Sequence, residues 1–558
     1  MARRNESIVR EHSPERASRP LLRSRRKEVE QRLADFGLAR GPRRALRVAG
    51  ADAAEPTHSR RLRAALESLG PVFASFGLYL STRVDLLDAR DCLELAAIAD
   101  RGEAEPPCAA RALCERELGG PPAEVFLDFE ERPFESRLLF QLHRARLGEG
   151  QDITVKLVRP GAAKYLACDA ALLSLMGEGR AAPECSEQAF AAALSDFRRM
   201  LRRQTDLTHE ARALELLAHD AGDCGMLRAP VVHGSHCTAS VLTVERLPGA
   251  SPADAFTPHE MKGEPAAAAG WPGHDYDRAN LARRLCVVWL RQALLGNFFP
   301  VEPLPGNVMI MPDRQIAFTG GVFARLPAES KADLWAYLLA AAADNPDRAC
   351  ECLLRVLKNA GGPHENKVRQ RFRQAVPFRN SGWSLSEDGN SLAEHLFVHW
   401  KLAGEHGYLP PPHLAPFYRG LFMIARLAHQ LDPGHDALAD GLQDVRLVAG
   451  VERLRAFANP DVLGERAERY AAMMMDLPQR LDEALTLVSE GRAGVKPQAP
   501  EAAGRKNSPT TFTALLMLLV AFVLLSQHFD KSLAGAEGVK VAVFLALGGL
   551  LLRAASRA

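Results

Sequence analysis

A lysine on a predicted strand and a glutamate on a predicted helix form the first pair of candidate residues. Lys156 lies in segment 152–158, DITVKLV, where apolar and polar residues alternate. This alternation predicts a strand that packs one face and presents the lysine on the other. Glu210 lies in a predicted helix over residues 186–220, beside an apolar stripe, where it could face the sheet. Such a pair steadies ATP phosphates in phosphoryl transfer, although each residue alone is more often a solvated surface side chain.

An acid and an asparagine five positions apart form the second pair. Glu302 and Asn307 lie in segment 300–307, PVEPLPGN, and two short apolar runs over 307–318 predict a hairpin directly after it. In a protein kinase an acid at this place faces the attacking hydroxyl group, and the asparagine holds magnesium. The order of lysine strand, glutamate helix, acid, asparagine and hairpin matches that ground plan. The chain has no kinase Gly-rich loop and no Walker sequence.

Composition excludes some classes of partner and site. The 558 residues carry 70 basic and 68 acidic side chains, a net charge of +2, so nothing predicts a nucleic-acid partner. The 10 cysteines form no C-x-x-C pair, and their spacings predict neither a zinc site nor a disulfide scaffold. Reduced thiols in a cytosol-facing protein are the simpler interpretation.

Two apolar runs, 512–525 and 541–552, predict a transmembrane helical hairpin. Each run is shorter than the roughly 20 residues that usually span a bilayer, but small flanking residues extend both. Arg505 before the hairpin and Arg553 after it place both ends on the cytoplasmic side, although Lys531 in the loop weakens this orientation. A pair of apolar core helices is the alternative.

Segment 69–87, LGPVFASFGLYLSTRVDLL, resembles the part of the UbiB (AarF) family that contains its K-x-G-Q motif and the following L-S-T-R-x-D-L-L. The resemblance continues through QLHRAR at 141–146, VKLVRPG at 155–161 and NFF at 297–299 with EPLPGN at 302–307. It extends from about residue 55 to about residue 555.

The resemblance implies an α+β fold, namely a protein-kinase-like two-lobed fold with an N-terminal helical extension and a C-terminal transmembrane helical hairpin. It also implies ATP binding and ATPase activity at a membrane, in support of ubiquinone biosynthesis, with the K-x-G-Q helices covering the site. By position, Lys156 is the phosphate lysine, Glu210 its partner, Asn307 a magnesium ligand and Glu302 the catalytic-loop acid.

Composition, periodicity and this resemblance together divide the chain into six segments. They are a basic flexible arm (1–48) with a short helix around residues 28–38, the N-terminal helical extension (49–120), a kinase-like N-lobe (121–250), a helical C-lobe (251–493), a linker (494–510) and the hairpin (511–553).

The sequence departs from the family pattern in the segments around the nucleotide. In the K-x-G-Q element only Gly77 remains, since Ser75 and Leu78 replace the lysine and glutamine. The alanine-rich nucleotide loop reads ESRL at 135–138, and the E-x-D motif reads QTD at 204–206.

The catalytic motifs depart further. The family's H-x-D-x-H-P-G-N reads PVEPLPGN at 300–307, and its D-F-G reads Thr319-Gly320-Gly321. A threonine hydroxyl is a weak ligand for a hard cation that prefers carboxylate oxygens. Loss of the metal bridge should cost several kcal/mol of transition-state stabilisation, or about 1000-fold or more in rate. A compensating alternative is that Glu302, with its longer reach, binds the metal itself.

The sequence therefore favours a catalytically degenerate pseudokinase or scaffold, anchored in the cell inner membrane with its kinase-like domain in the cytoplasm. Membrane lipid and quinone-biosynthesis proteins are the expected partners, and binding of ATP and Mg²⁺ is expected to be weakened or lost. The enzyme alternative is a weak ATPase or small-molecule kinase of UbiB type. An unrelated helical membrane protein is a third interpretation, disfavoured by the ordered motifs.

Overall fold

A computed structural model describes nine stretches of the chain. They are residues 19–38, 56–87, 89–148, 150–177, 187–222, 225–252, 277–359, 365–374 and 391–458. The chain divides into two compact units, Met1–Ala458 and Asn459–Ala558. The predicted linker and hairpin fall in the second unit, outside the described residues.

An antiparallel sheet forms the centre of the N-lobe. Its strands are β1 Asp128–Phe129, β2 Glu135–Ser136, β3 Phe140–Arg146, β4 Asp152–Val158 and a later strand, Val241–Glu245. Strand β3 pairs with β1, β2 and β4, and β4 also pairs with Val241–Glu245. The strand predicted over 152–158 has these bounds because Ile153, Val155 and Leu157 alternate into one buried cluster. Lys156 points to the opposite face, which is also covered.

Helices precede this sheet in the sequence and connect its strands. They are α1 Arg19–Asp35, α2 Pro56–Ser68, α3 Pro71–Leu80, α4 Ala89–Leu95, α5 Pro107–Leu118, α6 Pro122–Val125, α7 Pro160–Gly177, α8 Glu187–Thr205 and α9 Leu207–Gly222. The single helix predicted over 186–220 is two helices, α8 and α9. The break lies at Asp206, whose carboxylate accepts the amide hydrogen of Thr208 at 3.1 Å and caps α9.

Helix α1 differs from the flexible arm predicted for residues 1–48. Val29 and Leu33 are buried in the main core, and the buried Arg25 pairs with Asp169 of α7 at 2.8 Å. The high arginine content of this stretch indicated a solvated tail, but one arginine has a buried carboxylate partner far along the chain. Residues 1–18 and 39–48 lie outside the described part.

The C-lobe is mainly helical, with short strands at its contact with the N-lobe. Its helices are α10 Arg278–Leu294, α11 Ala328–Ala342, α12 Pro346–Val356, α13 Glu365–Gln374, α14 Leu392–Glu405, α15 Leu414–Leu431 and α16 Ala437–Ala458. The remaining strands are β5 Leu227–Arg228, β7 Phe299–Pro300, β8 Val308–Ile310, β9 Ile316–Phe318, β10 Phe323–Ala324, β11 Lys358–Asn359 and β12 Tyr408–Leu409, and Val241–Glu245 is β6.

The hairpin predicted over 307–318 is present. Strands β8 and β9 pair antiparallel, with Val308 opposite Phe318, and β5 adds to β9 in parallel. This hairpin fixes Asn307 at its start and Thr319 at its end as neighbours, since the Thr319 amide donates to the Asn307 carbonyl oxygen at 3.0 Å.

Within the described stretches, no helix combines the length and the apolarity that crossing a bilayer requires. Residues 511–553, where the hairpin is predicted, are outside those stretches.

Candidate functional site

One cleft of about 40 Å³ brings four of the predicted residues together: Lys156, Glu210, Glu302 and Asn307 all line it. Thr319, the fifth, does not line the cleft, but its amide donates to the carbonyl oxygen of Asn307, which does. The sequence-based selection of residues therefore corresponds to one place in the fold, although the roles assigned to them stay predictions.

Lys156 and Glu210 form a buried ion pair between β4 and α9. The Lys156 Nζ atom donates to Glu210 Oε1 and Oε2, both at 2.9 Å, and lies 4.1 Å from the centre of the Phe140 ring. Glu210 Oε1 also accepts the amide hydrogen of Gly321 at 2.9 Å. A Cβ atom at Gly320 would lie only 2.1 Å from Glu210 Oε1, so the backbone here needs a glycine to approach the carboxylate.

Arg137 extends from the turn between β2 and β3 to the catalytic loop. Its Nη1 donates to Asn307 Oδ1, its Nη2 to the Gly306 carbonyl oxygen at 2.7 Å, and its Nε to Glu135 Oε1 at 2.6 Å. The Asn307 Nδ2 atom donates to the Glu302 carbonyl oxygen at 3.2 Å. Both ends of the asparagine amide are therefore engaged by the protein.

Acidic neighbours compensate for the burial of this arginine. Burial alone lowers the pKa of the Arg137 guanidinium, but Glu135 and Asp100 outweigh burial and raise that pKa above its ordinary value. Burial raises the pKa of the Asp100 carboxyl, which Arg137 and a hydrogen bond from the Leu138 amide partly oppose. Arg137 is therefore a permanent positive charge inside the cleft.

Glu302 is held by a second arginine. Its Oε1 accepts from Nη2 of Arg419, and its Oε2 accepts from Nε2 of Gln204 at 2.5 Å. Arg419 reaches the carboxylate because the next residue, Gly420, lets α15 approach α10 closely. A Cβ atom at Gly420 would lie 2.6 Å from the Trp289 ring of α10. Arg419 and Glu302 are both buried, so this ion pair is shielded from water.

Helix α3 covers the cleft. Ser75 and Leu78 line it at the two replaced K-x-G-Q positions. Arg419 Nη1 donates to the Leu78 carbonyl oxygen at 3.2 Å, so one guanidinium joins the covering helix to the catalytic loop. At Gly77, a Cβ atom would lie 2.4 Å from Ile98 Cδ1, which explains why a glycine fits there.

A kinase-like domain implies sites for ATP and Mg²⁺, and the cleft residues do not fit the metal. Mg²⁺ requires about six oxygen ligands in near-octahedral geometry. Here Asn307 Oδ1 faces a guanidinium, both Glu302 oxygens are engaged, and Thr319 supplies no carboxylate. Gln204 Oε1 is buried without a hydrogen-bond partner, but it is a single neutral oxygen. Across the described residues, no cluster of three or more His, Cys, Asp or Glu could hold a metal ion.

The lysine–glutamate pair does fit a nucleotide's phosphate groups, but the cleft is small. Its volume of about 40 Å³ compares with roughly 300–1,000 Å³ for ligand pockets in general. At this volume a nucleotide would fit only after the cleft widened.

Sequence reasoning missed two arginines that shape the site. The sequence did contain a sign of Arg137, because this basic residue stands in segment 135–138, the loop that should lie over the phosphates. Arg419 carried none, since it is 117 positions from Glu302 in an otherwise ordinary amphipathic helix.

Comparisons with known proteins agree with this geometry. Residues 98–353 match the model of the ABC1 atypical kinase-like domain. Curated relatives described as "Probable protein kinase UbiB" are 31% identical over 284 residues in Pseudomonas putida and over 278 residues in Pseudomonas entomophila. These matches cover 50% and 49% of this chain.

A solved structure, the Rv3197–erythromycin complex from Mycobacterium tuberculosis, aligns with 61% of this chain and 82% of that chain. Its sequence identity is 17% and its TM-score is 0.43, too low to support a conclusion about this chain.

The sheet with its buried Lys156–Glu210 pair, the catalytic loop and the helical C-lobe define an atypical kinase-like domain. Residues 98–353 therefore form an ABC1-type atypical kinase-like domain, and the chain is similar to UbiB proteins, as the sequence resemblance to the UbiB (AarF) family predicted. It spans about half the length of the curated relatives it matches, 50% for the Pseudomonas putida protein.

Proposed function

We propose that this chain is a UbiB-type pseudokinase that acts as a binding or scaffold protein rather than as an efficient phosphoryl-transfer enzyme. The observation that carries the proposal is that guanidinium groups of the chain itself engage both catalytic-loop side chains, Arg137 at Asn307 and Arg419 at Glu302. Phosphoryl transfer needs a metal between the phosphates and an acid that is free to meet the attacking hydroxyl group. Neither group is free in this arrangement.

The family supports a place for this scaffold at the inner membrane, with the kinase-like domain in the cytoplasm. The predicted hairpin at 511–553 would anchor it among membrane lipids. Quinone-biosynthesis proteins would then be its partners, in ubiquinone or related isoprenoid-lipid metabolism.

A weak ATPase or small-molecule kinase of UbiB type is the second candidate. The intact Lys156–Glu210 pair favours it, because this pair has the geometry that positions α- and β-phosphates. The two candidates differ in whether the cleft turns over ATP.

Phosphate release from ATP and Mg²⁺ by the full-length protein separates them. The scaffold proposal predicts the same low rate for the wild type, Lys156→Met and Asn307→Ala. Lys367→Met, an exposed lysine on α13, is the matched control for the charge change. A magnesium-dependent rate that falls in the first two variants but not in the control would establish the enzyme instead.

The cellular role requires a separate experiment. Quinone content would be measured in the host after deletion of the chain and after its replacement by Lys156→Met or by a form that lacks 511–553. The proposal predicts lower quinone in the deletion and in the hairpin-less form and, at an equal level of folded protein, normal quinone with Lys156→Met. Unchanged quinone in the deletion would contradict the assignment to this pathway.

A further inference from the structure

We propose that Arg137 takes the place of a divalent metal in the cleft, so that the cleft binds the phosphate groups of a ligand such as ATP without any metal ion. This inference rests on the proposed function, because it concerns the same cleft and specifies what that cleft recognises.

The position of Arg137 supports this role. Its guanidinium is buried and contacts Asn307, the family's magnesium-binding asparagine by position. Glu135, Asn307 and Gly306 accept from Nε, Nη1 and Nη2, one bond from each nitrogen. These bonds use three of the five N–H groups of an arginine, which leaves one on each terminal nitrogen. Each of the two remaining N–H groups can donate to a phosphate oxygen.

Lys156 supplies a second positive charge on the same cleft. Its Nζ atom has three N–H groups, two of which point to the two oxygens of Glu210. Together Arg137 and Lys156 provide the two cations that a kinase normally obtains from its metal ion and its lysine.

A metal ion would have to compete with Arg137 for the same oxygen. Arginine stays protonated at every physiological pH, and a divalent cation beside it would be repelled at short range. The acidic groups around the guanidinium, Glu135 and Asp100, balance its charge. Binding should therefore not need Mg²⁺, and converting ATP to its magnesium complex should weaken it.

The small volume of the cleft sets the expected movement. Ser75 and Leu78 of α3 line the cleft, while Arg137 is bonded to the catalytic loop. Ligand entry should therefore displace α3 and leave Arg137 on Asn307.

The test is a titration of the full-length protein with ATP, followed by calorimetry, once with EDTA and once with excess Mg²⁺. We expect ATP to bind with EDTA and to show a larger apparent dissociation constant with excess Mg²⁺. Arg137→Gln should weaken binding by about 10- to 100-fold, as expected for the loss of a hydrogen bond from a charged donor. Arg137→Lys keeps the charge and should bind at an intermediate level. Arg144→Gln, with the same charge change on the exposed side of β3, should bind like the wild type.

Three results would overturn the inference: no ATP binding by the wild type, binding that requires Mg²⁺, or unchanged or tighter binding by Arg137→Gln. Circular dichroism of each variant checks that it is folded. If Arg137→Gln is not folded, Arg137→Lys, which retains a cation, is compared with the wild type instead. Magnesium-dependent binding without phosphate release would refute this inference and leave the pseudokinase proposal standing. Magnesium-dependent phosphate release would refute both.

Discussion

Replacing Arg419 by methionine should destabilise the kinase-like domain more than most single substitutions do. Arg419 is 3% exposed and Glu302 is 6% exposed, so the substitution leaves a carboxylate without its cation inside the protein. Breaking a buried ion pair by removing one partner costs about 3–5 kcal/mol. Gln204 still donates to the other oxygen of Glu302, so we expect the lower end, about 3 kcal/mol.

Urea unfolding followed by circular dichroism measures this free energy. The double variant Arg419→Met with Glu302→Leu should recover much of the loss, because it also removes the uncompensated charge. Arg426→Met on the same helix is the matched control: Arg426 donates to the Ala96 carbonyl oxygen at 3.1 Å and should cost about 1 kcal/mol.

The same substitution should loosen the helix that covers the cleft. Arg419 donates to the Leu78 carbonyl oxygen, so its loss removes a bond between α3 and the catalytic loop. Amide hydrogen exchange in residues 71–80 should become faster in Arg419→Met than in Arg426→Met. Equal free energies and equal exchange in the two variants would refute the idea that Arg419 holds the site together.

Two further predictions concern stability. Gly320→Ala should displace the Glu210 carboxylate, since a Cβ would lie 2.1 Å from Oε1. The free energy of unfolding in urea should fall by about 1–3 kcal/mol. Gly450→Ala, whose Cβ meets nothing within 4 Å, is the control and should cost nothing. Burial lowers the pKa of His399 from 6.5 to about 3. Below pH 6.5 the unfolded chain binds a proton that the native state rejects, so this residue should lower stability as the pH falls toward 3, by about 1.4 kcal/mol per pH unit. His399→Phe should reduce that slope in unfolding measured from pH 7 to pH 4, and an unchanged slope would assign it to other groups.

The local sequence pattern was sufficient to predict those features of the fold that depend on residues close together in the sequence. The alternation in 152–158 fixed both the bounds of β4 and the face that carries Lys156. The stripe beside Glu210 placed that residue toward the sheet, where it meets the lysine. Burial of the lysine was not predicted, because the cover over that face comes from α9 and the catalytic loop.

Sequence pattern failed where a charge has a distant partner. Arg25 looked like part of a solvated basic arm, yet its partner Asp169 lies 144 positions away. Arg419 looked like an ordinary helical arginine, yet it pairs with Glu302 117 positions earlier. Composition and periodicity report the local face of a helix and carry no information about which charges meet across the core.

Arginines of the chain contact the two side chains that a kinase uses for its metal and its substrate, Asn307 and Glu302. A crystal structure of the full-length protein grown with Mg²⁺ and a non-hydrolysable ATP analogue would show whether the arginines stay there when a nucleotide is bound. We expect the Arg137 guanidinium on Asn307, Arg419 on Glu302, and no metal between the phosphates and the protein. A magnesium ion bound to Asn307, with Arg137 displaced from it, would refute the proposal that Arg137 replaces the metal.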